Sequence, residues 1–249
     1  MRLDLQGLRG IAVLLVVLFH GKIGFDGGFV GVDVFFVISG FVITGVLIRQ
    51  TEESTQFNRG LLYFYTRRAR RLLPALGAVV GFVLTASVFI ESSPREQFRT
   101  AWSALSSLLF SANIHFLTMD DGYFSLGSQT NPLLHIWSLS VEEQFYFVFP
   151  MAFLFLFARS KVWKVRMAWI GVIAASSLLI CLILSHRLWA DVGSRHIAFY
   201  LPFTRAWEFL AGSLVALVGR TSVGQLSRCS RFMLNASGGV GLVWSALLL

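Results

Sequence analysis

Residues 9–39 read RGIAVLLVVLFHGKIGFDGGFVGVDVFFVIS. Arg9 leads a run of apolar residues that stops at His20, and after a Gly-rich turn a second apolar run carries Asp33. Two such runs back to back have the pattern of hydrocarbon-spanning helices. Such a helix normally excludes histidine and aspartate, because an ionisable side chain buried in lipid costs about 2.5 kcal/mol or more. His20 and Asp33 are therefore expected to have a role that offsets that cost.

The rest of the chain agrees with a membrane reading. Of 249 residues, 55% are hydrophobic and only 14% are charged, against roughly 45–50% and about 25% in soluble domains. The net charge of +8 is read as loop asymmetry that sets topology. Nucleic acid is excluded as a partner, since no basic face alternates with soluble structure and no nucleic-acid motif appears. Cys181 lies in an apolar run and Cys229 in a polar loop, with no metal-type spacing between them. They are expected to be packing residues, and no metal site is expected. Arg2, Arg9 and the run 11–19 imitate a signal peptide, but no small-x-small cleavage site follows. The run is read as a retained first helix.

Taken in order, helix 1 is expected over 8–25, a tight turn at Asp26, Gly27 and Gly28, and helix 2 over 29–48. A polar and then basic stretch ends in RRARR, Arg67 to Arg71, and Pro74 is expected in the first turn of helix 3, which runs to 90. Segment 98–117 holds several Ser, an Asn and a His and is ambiguous. Further spans are expected over 138–158, 167–184, 197–218 and 232–249. Lys and Arg in short loops favour the cytoplasmic side. If 98–117 does not cross, Lys22, Arg95, Arg99, Arg187 and Arg195 stand outside, Arg205 lies within a helix, and the other basic residues are cytoplasmic. If it crosses, the basic loops 159–166 and 220–231 move outside. The first arrangement is the more asymmetric. The expectation is therefore an all-α polytopic transmembrane bundle of about seven spans, cytoplasmic N-terminus, with a re-entrant or interfacial segment near 98–118. Residues 1–249 form one domain in this reading, and a last helix without a polar flank reads as an incomplete C-terminus.

Several constellations carry chemistry. Arg9 and His20 are eleven residues apart, about 20° past three full turns, so they share a helix face some ~16 Å apart. That geometry suits a long anionic ligand held by its charged end with a reactive group presented to the imidazole. Equally, Arg9 reads as a snorkelling anchor and His20 as an interhelical hydrogen-bond partner. Asp33 could orient His20 or take its proton, or serve as a helix-start carboxylate. Arg67, Arg68, Arg70 and Arg71 offer guanidinium groups to phosphates, or form a topology signal or lipid headgroup patch. The stretch NPLLHIWSLSVEEQFY, from Asn131, brings His135, Trp137, Glu142, Glu143 and Gln144 to an outer helix entrance, where one carboxylate is expected to point inward. Arg205 and Glu208, at i and i+3, suit a mutual ion pair.

Five blocks, DLQGLRGIAVLLVVLFH, GGFVGVDVFFVISGFVIT, FYTRRARRLLPA, HIWSLSVEEQFYFVFP and TRAWEFLAG, resemble acyltransferase family 3, the bacterial membrane O-acyltransferases of surface polysaccharides. The first carries the family's R-x10-H pattern at Arg9 and His20. The resemblance implies about ten spans, often with an added extracytoplasmic SGNH domain, in the bacterial inner membrane among its lipids. It implies acetyl-CoA as a cytoplasmic donor substrate, no permanently bound cofactor, and a sugar hydroxyl as acceptor on the other face: lipopolysaccharide O-antigen, exopolysaccharide or peptidoglycan. His20 would then be general base or transient acyl carrier, with Asp33 fixing its tautomer and Glu142 beside them. Arg9, Arg67, Arg68, Arg70 and Arg71 would bind the phosphates, while Ser39, His135, Trp137, Arg205 and Glu208 would line the substrate pocket. The competing readings are a transporter or flippase for a lipid-linked sugar, and an inactive truncated product.

Overall fold

The computed structural model describes residues 3–23, 27–52, 57–91, 93–119, 131–159, 162–186 and 192–222. The expected span at 232–249, Asp26 of the first turn and Cys229 lie outside these residues. The described helices are α1 Leu3–His20, α2 Val30–Glu52, α3 Phe57–Ile90, α4 Pro94–Leu108, α5 Ala112–Thr118, α6 Ile136–Arg159, α7 Trp163–Ser185, α8 Val192–Tyr200 and α9 Pro202–Ser222. The chain is all-α, as expected. Among the described residues five stretches are long and apolar enough to cross a membrane: Val30–Gln50, Leu61–Ile90, Ile136–Leu156, Trp163–Ser185 and Arg195–Gly219.

Three boundaries differ from the sequence reading. First, α1 begins at Leu3 and ends at His20, short of the expected 25. Its end is a Schellman turn: Ile23 N–H bonds to Leu18 O and Lys22 N–H to Phe19 O, with Lys22 left-handed at φ 53°. Second, Pro74 does not open helix 3. It lies inside the 34-residue α3, so RRARR forms helical turns rather than a leader. Third, the single span expected over 197–218 is two helices broken at Leu201, because Pro202 has no N–H to continue α8 but fits the first turn of α9.

The chain divides into two compact units. The first comprises Met1–Val46, Val162–Ala174 and Glu208–Leu249. Within it α1 and α2 run antiparallel in backbone contact, since a Cβ on Gly28 would collide with Leu15 O and one on Gly31 with Ala12 O. The other side of α2 meets α9 in the same manner: Gly40 lies against the Phe209 backbone and Gly212 against that of Val37. Phe36 stacks on Phe209 with centroids 4.5 Å apart. Helices in lipid gain little from expelling water between them, so close approach at small residues is their main attraction.

The second unit comprises Leu47–Lys161 and Ala175–Trp207. Ser93 caps α4, its Oγ accepting from Arg95 N at 3.3 Å, with Pro94 in the first turn. Helix α4 packs on α3 and is inside-out for a water-soluble protein: Thr100, Ser103, Ser106 and Ser107 are buried, while Phe98, Trp102, Leu105 and Leu109 face outward. It ends in a second Schellman turn, with Phe110 at φ 51° and Ser111 N–H bonded to Ser106 O. The chain then turns into the short helix α5, and neither α4 nor α5 is among the helices long and apolar enough to cross a membrane.

Candidate functional site

His20 is the last residue of α1 and its ring is exposed. Its Nδ1 lies 2.8 Å from Val16 O. A carbonyl oxygen only accepts, so Nδ1 carries the hydrogen and the neutral ring holds its lone pair on Nε2, the nitrogen a general base needs. This contact is made within α1 itself. Asp33 stands half-buried in the first turn of α2. Arg9 is half-buried on α1, and its Nε is buried without a hydrogen-bond partner among the described residues. Ser39 and Glu208 of the same unit are fully buried.

In the second unit Arg68 donates from Nε to Glu143 Oε1 at 2.6 Å, and its Nη2 lies 3.3 Å from Glu142 Oε1. The guanidinium carbon sits 3.8 Å from the centroid of the buried Tyr146 ring. This corrects two expectations. Both carboxylates, not one, turn inward to a partner. The arginines and the carboxylates also do not occupy opposite ends of the bundle. Beyond Arg68, α3 continues for 22 residues, about 33 Å; ahead of Glu142, α6 has six, about 9 Å. The doubling back of α4 along α3 lets α6 begin part-way along α3. Arg67, Arg70 and Arg71 are exposed.

A related contact lies one turn away. Pro150 sits inside α6 and has no N–H for the carbonyl four residues earlier, which is Tyr146 O. The Tyr65 hydroxyl of α3 donates to that oxygen at 2.7 Å.

His135 is exposed in the turn before α6, its carbonyl accepting from Ser138 Oγ at 3.2 Å. Trp137 is buried, with Phe199 at 4.5 Å and Tyr200 at 5.6 Å between ring centroids. Arg205 joins them: its Nε donates to Phe199 O at 3.2 Å, and its guanidinium stands 5.0 Å from Phe199 and 5.7 Å from Trp137. The structure therefore brings Trp137 and Arg205 together, while His135 faces outward. Arg205 belongs to the second unit and Glu208 to the first.

Two polar groupings were not foreseen. Asn113 and Gln144 bond to each other, Gln144 Nε2 to Asn113 Oδ1 at 2.8 Å, and their other donors reach Tyr200 O and Phe110 O. Ser103 Oγ donates to Arg99 O at 2.9 Å and lies 2.8 Å from Asn131 Nδ2 and 3.2 Å from His115 Nε2. With its one hydrogen committed, Ser103 can only accept from His115, so Nε2 carries the ring hydrogen. Burial, then the nearby Arg99 charge, lowers the His115 pKa below its ordinary 6.5. The signal for both groupings was the density of Ser, Asn and His in an otherwise apolar stretch. Among the described residues no group of three or more His, Cys, Asp or Glu is placed to hold a metal.

The five long apolar helices give the chain the character of a multi-pass membrane protein, with His20 closing α1 in one unit and Arg68 held by Glu142 and Glu143 in the other. A family model for an acyltransferase domain matches residues 2–248, and the chain belongs to that family, acyltransferase family 3. It is 32% identical over 248 residues to the peptidoglycan O-acetyltransferase OatA of Listeria monocytogenes serovar 1/2a, covering 96% of this chain and 38% of the relative. It is 36% identical over 217 residues to YrhL of Bacillus subtilis strain 168, provisionally named a peptidoglycan O-acetyltransferase, covering 86% and 33%. The chain thus spans about a third of the length of these relatives. No solved structure matches.

Proposed function

We propose that this chain works as a membrane O-acetyltransferase, moving an acetyl group from cytoplasmic acetyl-CoA to a carbohydrate hydroxyl on the opposite face, with peptidoglycan the first acceptor to test. The observation that carries this reading is the His20 contact: Nδ1 engages Val16 O, so the neutral ring bears its basic lone pair on Nε2. In the reaction Nε2 takes the hydroxyl proton as the oxygen attacks the thioester carbon. The C–S bond breaks, and the CoA thiolate departs and recovers the proton. Arg9 supports the same reading, since a buried Nε without an acceptor is satisfied by an anionic ligand oxygen. The basic run on α3 supplies cationic ligands for the donor phosphates.

The test is to incubate membranes carrying the chain with acetyl-labelled acetyl-CoA and to count label in extracted peptidoglycan and polysaccharide. Wild type is expected to transfer label, and His20→Ala to lose at least about a hundredfold while remaining in the membrane at wild-type level. Full transfer by His20→Ala would remove the imidazole from the mechanism. Sugar movement without CoA dependence would return the transporter reading.

A further inference from the structure

The four arginines of RRARR look equivalent in sequence, yet their surroundings divide them. Arg68 is engaged on three sides, by Glu143 at 2.6 Å, Glu142 at 3.3 Å and the Tyr146 ring at 3.8 Å. A phosphate approaching Arg68 would have to displace two carboxylates or stand beside them, and like charge opposes both. Among the described residues Arg67, Arg70 and Arg71 have no carboxylate within ion-pair distance. On a helix Arg67 and Arg71 lie four residues apart, about 40° in direction and ~6 Å in rise, so they are neighbours on one face. Arg70 is about 160° from Arg68 and about 60° from Arg67, so it flanks Arg67 on the side away from Arg68.

We propose that Glu143 is a positioning residue that, with Glu142 and Tyr146, fixes Arg68 as the strut between α3 and α6, and that anion binding by the run falls to the outward face of Arg67 and Arg71, flanked by Arg70. This rests on the acetyl-CoA reading for the second half of the statement only. The strut orients the helix: with Arg68 fixed toward α6, Arg67 and Arg71 present a common outward face one turn apart. A planar guanidinium suits the strut because Nε and Nη2 both reach Glu143 and Nη2 also reaches Glu142 while the guanidinium face stays on the Tyr146 ring, a combination that lysine lacks.

The experiment uses the full chain in detergent with two donors, acetyl-CoA and acetylpantetheine, which has the same thioester but no phosphates. Arg67→Gln with Arg71→Gln is expected to raise KM for acetyl-CoA roughly tenfold without raising that for acetylpantetheine. Glu143→Gln and Arg68→Gln are expected to lower kcat for both donors by a similar factor, and Glu143→Asp to recover most of it. An acetyl-CoA-specific KM rise in Arg68→Gln, with none in the Arg67/Arg71 variant, would return Arg68 to the phosphate set and overturn the division. Melting of Arg68→Gln, Glu143→Gln and the double variant supplies the second readout. The double is expected to melt no lower than the weaker single, whereas additive losses would remove the strut. If wild type turns over neither donor, the acetyl-CoA reading fails while melting still decides the strut.

Discussion

At the scale of single residues the structure puts ordinary side chains in conformations that glycine would adopt more cheaply. Lys22 closes α1 at φ 53°, two residues after His20, and a left-handed non-glycine residue costs about 1–2 kcal/mol. Lys22→Gly is therefore expected to stabilise the protein by about 1 kcal/mol, read as a higher melting temperature in detergent. A fall would mean that the Lys22 side chain contributes more than its backbone costs. His115 is a second residue-scale case. Its folded pKa lies below the 6.5 of the free ring, so the unfolded chain binds the proton more readily. The stability contributed by the neutral ring is present above pH 6.5 and is lost as the pH falls below it. Wild type is expected to lose melting temperature between about pH 7 and about pH 5, and His115→Gln to lose less. Parallel curves would show that His115 does not control this loss.

At the scale of helices the instructive pair is α3 with α6. Pro150 leaves Tyr146 O without its helical donor and Tyr65 OH supplies one from the neighbouring helix. Tyr65→Phe is expected to cost about 1–2 kcal/mol by leaving that carbonyl unsatisfied. In a Pro150→Ala background, where residue 150 regains its N–H, the same change is expected to cost under about half as much. Equal costs in both backgrounds would mean that the hydroxyl acts elsewhere. This pairing also marks what the sequence could and could not reveal. The apolar runs made α2, α6 and α7 legible to within a few residues, because spans are fixed by length and hydropathy alone. Pro74 was read as a helix start, yet a proline at membrane depth is tolerated inside a helix when neighbours restore what it removes. The RRARR and VEEQFY blocks were recognisable as polar sites, but the contact of Arg68 with Glu142 and Glu143 was not, because it depends on α4 folding back along α3.

At the scale of the whole chain the charge distribution predicts orientation. Lys22 follows α1 and Arg166 lies in the first turns of α7, on opposite sides if the N-terminus is cytoplasmic. In a background lacking Cys181 and Cys229, a membrane-impermeant thiol reagent on intact cells is expected to label Lys22→Cys. Arg166→Cys is expected to react only after permeabilisation. The reverse pattern would invert the topology and count against the proposed binding of a cytoplasmic donor by Arg9. His20, Arg9 and Asp33 were legible as a group because charge in an apolar run is conspicuous, whereas the Val16 carbonyl that sets the imidazole tautomer left no mark in residue type.

The glycine contacts of α2 bear on how the protein is made. Gly40 and Val37 meet Phe209 and Gly212, partners translated about 170 residues later, which at 5–20 residues per second is roughly 10–30 s of synthesis. Through that interval α2, docked on α1, has its second docking face uncovered. The His20-bearing unit is assembled from both ends of the described chain, so its maturation waits on the ribosome finishing α9. Slowed elongation in the second half would prolong the exposure of that face to other newly inserted helices.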